Sequence, residues 1–202
     1  MVRMQSAEPN AEYGADARKA LLGIARRVIE HGAAHGRPPQ IMLDGLPPEL
    51  CARRACFVTL TRHGSLRGCI GSLEARRPLA EDVAGNAFDT AFSDPRFLAV
   101  SLQELPTIDI EISVLSPVQP LRVSSEVELL ETLRPHVDGL VLEDGARRAT
   151  FLPKVWETLQ QPSRFVAELK RKAGMPAEHW SESMRVYRYH AETFGERDPR
   201  LV

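Results

Sequence analysis

Apolar positions along the chain follow two periods. In "DARKALLGIARRVIEHG", Ala17, Leu21, Ile24 and Val28 recur at three- and four-residue intervals, the stripe of a helix buried on one side. Asp16 is available as its N-cap, and Gly32 or Gly36 as its stop. "TIDIEISVL" instead alternates strictly, with Ile108, Ile110, Ile112 and Val114 on one face and Asp109, Glu111 and Ser113 on the other. One face of that strand is core, and the other carries two carboxylates about 6.5 to 7 Å apart. "ACFVTLT" has strand composition, "RHGS" is a turn and "LRGCI" resumes extended structure, which together predict a hairpin. Pro78 suits the first turn of a helix with the stripe Leu79, Val83, Ala87 and Ala91. That helix must stop near Asp94, because the residue before Pro95 disfavours helical geometry.

The remaining segments are shorter. "RPPQIMLDGLPPEL" holds four prolines and reads as a long irregular connection over the surface. Ser125 and Glu128 form a capping-box signature for a helix, and "GLVLEDGARRATFL" predicts a hairpin turning near Asp144-Gly145. "SRFVAELKRKAG" starts from a Ser163 cap, gathers Lys170, Arg171 and Lys172 as a solvated end suited to the helix dipole, and stops at Gly174. "MRVYRYHAETF" closes the chain as a strand. Helices and strands do not alternate in steady βαβ order, so the expected class is α+β: a largely antiparallel sheet flanked by helices, with a smaller second lobe around the 139–153 hairpin. The domain is expected over residues 15–195, after a flexible N-terminus at 1–14.

Composition narrows the function classes. The chain has 202 residues, 43% hydrophobic and 26% charged, which suits one substantial core or a core with a smaller lobe. A formal charge of −1 removes the usual electrostatic basis for general nucleic-acid binding. No apolar run is long enough for a membrane span and no signal-type segment opens the sequence, so a cytoplasmic protein is expected. The three cysteines, Cys51, Cys56 and Cys69, are odd in number and clustered, which disfavours a disulfide scaffold. One Cys-x4-Cys spacing and the helical pair His31 and His35 do not make a recognised metal pattern, and no metal or cofactor is expected.

The chemistry-bearing stretch is "LRGCIGSLE". Regular alternation over residues 66–71 would place Arg67, Cys69 and Gly71 on one face, where a guanidinium beside a thiol favours the thiolate, while Gly68 and Gly71 admit a ligand or another backbone. The competing reading is a buried Cys69, glycines that serve a bulge, and an Arg67 that pins a carboxylate such as Glu74 or Glu111. No base for the thiol is visible: His63 sits at the turn out of reach, and His136 or His190 would serve only if the fold returned them. Asp94 and Arg96 could join this cluster, or Asp94 could satisfy the donors of its own turn.

"LRGCIG" at 66–71, preceded by "CFVTL" and followed by "DPRF" at 94–97, resembles the AMMECR-one domain family, also called AmmeMemoRadiSam system protein A. "IDIEISVLSP", "GLVLEDG", "FLPKVW", "KAGMPAEHW" and "VYRYHAETFGE" extend the likeness from the first helix almost to the C-terminus. The resemblance implies an α+β fold of two lobes with the motif near a cleft, and a component of a system that includes Memo-like and radical-SAM proteins, of unsettled reaction. It implies Leu66, Arg67, Gly68, Cys69, Ile70 and Gly71 as the motif, Leu66 and Ile70 serving packing, with Asp94, Arg96, Glu111, Pro153, Lys154 and Lys172 as cleft members. Asp138 stands where a His commonly precedes the Gly-Leu of "GLVLE", so a mechanism needing that His is not expected here. The reading is a thiol-assisted small-molecule enzyme with Cys69, Arg67 and Glu111 as catalytic residues, and Gly68, Gly71, Asp94, Arg96, Lys154 and Lys172 as ligand-binding ones. The alternative is a non-catalytic protein-binding adaptor or nucleic-acid-linked regulator, an adaptor being favoured by an exposed apolar patch beside the motif.

Overall fold

The apolar stripe of the first helix becomes α1 (Ala15–His35), which buries Ala17, Leu21, Ile24 and Val28; Asp16 lies in its first turn, and the N-cap position is Gly14. Gly36 ends the helix in the left-handed region at φ 69°. Gly32 stays inside the helix, because a Cβ there would meet the Phe92 ring at 2.4 Å. The proline-rich connection contains a single helical turn, α2 (Pro48–Cys51). The hairpin follows as β1 (Cys56–Arg62) and β2 (Ser65–Gly71), then α3 (Leu79–Phe92) and β3 (Ile108–Leu115). His63 and Gly64 both take positive φ, the two-residue turn whose twist suits a hairpin. The structure is a computed structural model and describes residues 12–201.

After β3 come β4 (Gln119–Leu121), α4 (Glu126–Thr132), β5 (Gly139–Asp144), β6 (Arg147–Phe151), α5 (Pro162–Lys172) and β7 (Arg185–Tyr189), and finally β8 (Ala191–Gly195). The fold is α+β, with two four-stranded sheets in the orders β2-β1-β3-β8 and β4-β7-β5-β6. The chain divides into two compact units, the first running up to Val114 and resuming at Glu192, the second being Leu115–Ala191. The second unit is thus inserted between two neighbouring strands of the first sheet. No helix among the described residues is long and apolar enough to cross a membrane.

In the first unit α3 lies against β1 and β2 and α1 lies against α3. The core holds Leu21, Ile24, Val28, Cys56, Val58, Leu60, Val83, Ala87, Ile108, Ile110 and Ile112. β1 shows the resulting alternation, with Cys56, Val58 and Leu60 buried and Phe57, Thr59 and Thr61 half-buried on the far face. The second unit has its own core of Leu129, Leu140, Leu142, Trp156, Phe165, Val166 and Leu169, with Trp156 stacked on Phe165 at 3.9 Å.

Several local expectations are corrected. The closing stretch is two strands, because His190 separates β7 from β8 and the two belong to different sheets. The last long helix starts at Pro162 after a Gln161 N-cap, two residues ahead of the expected Ser163 cap. Lys170 is fully buried rather than solvated, its Nζ donating to Glu126 Oε2 at 2.7 Å and to the Ala177 carbonyl at 2.9 Å. Ser125 does cap α4, accepting from Glu128 N–H, but Glu128 reaches back to Ser124 rather than to Ser125. Of the expected flexible N-terminus, residues 1–11 lie outside the described residues. Glu12 and Tyr13 are pinned, both donating N–H to the Glu192 carboxylate, and Tyr13 is buried.

Candidate functional site

The hairpin turn sets a register in which Arg62 faces Ser65 and Thr61 faces Leu66. Continued regularly, that register would set Cys69 opposite buried Val58 and turn its side chain toward the core. A β-bulge intervenes: Leu60 pairs with Gly68 and Thr59 with Cys69, leaving Arg67 as the extra residue. A one-residue slip exchanges the faces of everything beyond it. Cys69 is therefore half-buried on the far face, and Gly68 is buried against α3, where a Cβ would meet the Thr90 carbonyl oxygen at 2.6 Å. Gly71 is needed for closeness too, since a Cβ there would lie 2.4 Å from the Cys56 carbonyl oxygen. The alternation that would put Arg67 beside Cys69 fails at this bulge.

Being outside the ladder, Arg67 reaches the segment that follows α3. Its Nε donates to Glu104 Oε1 at 2.9 Å, and its Nη2 to Glu104 Oε2 at 3.2 Å and to the Leu98 carbonyl at 2.8 Å. Its guanidinium also lies over Phe97, 5.7 Å from the ring centroid. Glu104 receives Arg62 as well, at 3.3 Å. The Arg67 hydrogen bond is the main reason that the Glu104 carboxyl is pulled down to about 2. Arg67 thus pins a carboxylate, and the partner is Glu104 rather than Glu74 or Glu111.

Because β2 is an edge strand, its outward backbone groups need partners. Asp94 and Arg96 supply them. The Cys69 N–H donates to Asp94 Oδ2 at 2.9 Å, and Arg96 Nη2 donates to the Cys69 carbonyl at 3.0 Å. The two side chains are joined by Arg96 Nε to Asp94 Oδ1 at 2.9 Å and Arg96 Nη2 to Asp94 Oδ2 at 2.7 Å. Together they imitate one residue of a further strand. The Arg96 hydrogen bond chiefly holds the Asp94 carboxyl far below the usual carboxylate range, and Asp94 in turn favours the protonated guanidinium, with a smaller contribution from Cys69. Asp94 also accepts from Arg96 N–H in its own turn, so the turn reading of this residue holds, and what it adds is the Cys69 backbone rather than a cluster with Arg67 and Glu111. The cation beside Cys69 is Arg96.

On the far face, register aligns Cys69, Thr59 and Glu111 in one row across β2, β1 and β3. Thr59 Oγ1 donates to Cys69 Sγ at 3.3 Å. Glu111 is one strand beyond Thr59, so the backbones of Cys69 and Glu111 are about 9.5 Å apart, two strand spacings. Glu111 also lines a cavity of about 430 Å³ with Thr61, Asp109, Thr193, Arg197 and Asp198. Asp109 is paired there with Arg197 at 2.6 Å. Thr59 and Glu104 were missed in the sequence. Thr59 could have been found from the hairpin once a bulge was placed, whereas Glu104 sits in an irregular segment that carries no periodic signal.

Lys154 and Lys172 belong to the second unit. Lys172 Nζ donates to the Thr150 carbonyl at 3.0 Å and lies 5.1 Å from the Phe151 ring centroid; Lys154 and Pro153 are in the short 3-10 turn Pro153–Glu157. Asp138 is fully buried and bonded to Arg134 Nη2 at 2.7 Å. Arg134 Nη2 also meets His190 Nε2 at 3.0 Å, so that nitrogen accepts and the ring proton is on Nδ1. His190 has its acceptor nitrogen occupied by a cation and is held as a structural group.

Comparison with known proteins accords with this architecture. The AMMECR1 family model matches residues 22–194. A protein of Methanothermobacter thermautotrophicus is 38% identical over 195 residues, covering 92% of this chain and 97% of that protein. A Methanocaldococcus jannaschii protein is 36% identical, covering 87% of this chain and 88% of its own length. The crystal structure of an uncharacterized Pyrococcus horikoshii protein is similar with a TM-score of 0.81 at 35% identity, over 89% of this chain and 91% of that one.

Proposed function

The chain belongs to the AMMECR1 family, and from that premise we propose that it binds a small molecule on the far face of its first sheet and acts on it through the Cys69 thiol. One observation carries this reading: Cys69 and Glu111 flank Thr59 in a row on a face that the helices leave free, with Arg96 fixed beside the sulfur's own backbone. The sulfur is held by the Thr59 hydroxyl hydrogen bond and is placed to meet a carbon bound on this face. Glu111 is too far for a direct bond to the sulfur and at a fitting distance to act on the opposite side of a molecule lying over Thr59. In this arrangement the sulfur adds to an electrophilic carbon such as a carbonyl. The thiol proton leaves to water, the carbon–sulfur bond forms, the carbonyl π pair moves to oxygen, and that oxygen takes a proton from water on the side that Glu111 faces. Arg67 takes a positioning role, since its charge is spent on Glu104.

The family resemblance supports a setting among Memo-like and radical-SAM proteins, which co-purification of the untagged partners with the full chain would test.

The thiol reading is tested by alkylating the native protein with iodoacetamide across neutral pH and mapping the modified peptides. Cys69 is expected to label faster than Cys51, and Cys56 only after unfolding. Labelling of Cys69 as slow as that of Cys56 would overturn the thiol role.

A further inference from the structure

The segment between α3 and β3 holds apolar side chains out into solvent on a backbone that is itself fixed. Leu98 is 88% exposed and Leu102 52%, and Leu66, which precedes Arg67 on β2, is 47% exposed rather than packed. They are drawn together by one ion pair. Arg67 adjoins Leu66 and holds the Leu98 carbonyl, while its partner Glu104 accepts the N–H of Ser101, the neighbour of Leu102, at 3.0 Å. Between the two loop leucines Val100 is buried and its N–H bonds to the Ala91 carbonyl at 2.8 Å. The Phe97 N–H bonds to the Asp94 carbonyl at 3.1 Å. Leucines on a floppy loop fold away or average out; these are presented by a scaffold that loses little freedom when something covers them.

Charge tells what would cover them. Both ion pairs at the rim are one-sided: the side chains of Arg62 and Arg96 are 43% and 52% exposed, while their carboxylate partners Glu104 and Asp94 are 16% and 2% exposed. Residues 95–103, "PRFLAVSLQ", contain no acid. An apolar centre rimmed by outward guanidinium groups complements a surface that is apolar at its centre and acidic at its edge. We propose that Leu66, Leu98 and Leu102 form a docking surface for an acidic amphipathic peptide segment of a partner protein, its apolar side chains on the leucines and its carboxylates on Arg62 and Arg96. This surface shares Arg96 with the neighbourhood of Cys69, and the Cys69 side chain is not part of it.

The test uses the full chain and a fluorescein-labelled synthetic amphipathic peptide of about 15 residues, Leu on one helical face and Glu on the other, with a Lys-for-Glu version as control. Anisotropy titration is expected to show saturable binding of the Glu peptide, weakened by added salt and by about tenfold or more in Leu98→Ser and in Leu102→Ser, both exposed enough to fold normally by circular dichroism. Cys69→Ser is expected to bind as the wild type does. Absence of saturable binding, equal binding of the Lys peptide, or indifference to both leucine substitutions would overturn the proposal. Tighter binding of a single-stranded oligonucleotide than of the Glu peptide would overturn it in favour of a nucleic-acid surface.

Discussion

Cys56 and Cys69 sit on paired strands of one hairpin and meet opposite surroundings. Cys56 faces the helices: its backbone N–H and its thiol both point at Asp82 Oδ2, at 3.1 and 3.3 Å, and Asn86 closes the group with a bond to the Cys56 carbonyl. Burial first, and the Asp82 charge second, push that thiol well above its ordinary range. Cys69 faces away, accepts from Thr59 and has a guanidinium for a neighbour. The residue type is the same and the surroundings differ because one strand carries an extra residue. Face, rather than identity, decides whether a cysteine here is sealed in the core or reaches the far side of the sheet.

The contrast can be broken hardest on the buried side. Asp82→Ala is expected to cost about 3 kcal/mol in urea unfolding, since it strands the Cys56 N–H, Asn86 and Arg77 at once. A loss near zero would mean that the Cys56 group is ornamental. Next, Gly68→Ala is expected to cost about 2 kcal/mol because its Cβ must push the Thr90 backbone, which is not a flexible side-chain end. Its immediate neighbour on the other face gives the smallest effect, Cys69→Ser changing stability by less than about 0.5 kcal/mol. If the two neighbours cost the same, the bulge register is wrong.

Between these lies an acid-dependent effect at the clasp. A carboxyl whose folded pKa is depressed contributes stability that is present above its unfolded value and is lost as pH falls through the folded one. For Glu104 that window runs from 4.5 down to about 2. Glu104→Gln should therefore melt below wild type at neutral pH, with the gap closing as pH falls through that window. A gap that stays constant down to pH 2 would show that the Arg67 pair contributes nothing through charge.

Much of this was legible in the chain. Strict alternation marked Ile108–Leu115, the His63-Gly64 turn and the Ser125 cap were visible in residue type, and the helix stop before Pro95 followed from backbone sterics. The bulge was raised as the competing reading but not settled, because Gly68 is compatible with regular and bulged strands alike, and its consequence, the facing of Cys69, could not be decided by counting. Glu104 was hidden because its contact with Arg67 spans 37 residues into an irregular segment. The break at His190 was hidden because the pattern on both sides of it is equally strand-like, and only the partner strands tell that the chain changes sheets.

The insertion of the second unit between adjacent strands has a consequence for chain entropy. The residues one step inside its two ends are tied to each other, Ser116 N–H to the His190 carbonyl and His190 N–H to Ser116 Oγ, both at 2.9 Å. Whatever the insert contains, it leaves and re-enters the first sheet through a gate one strand spacing wide, so loop closure is settled locally. The spacing of the two ends of residues 117–189 is thereby fixed by two short hydrogen bonds rather than by the length of chain between them.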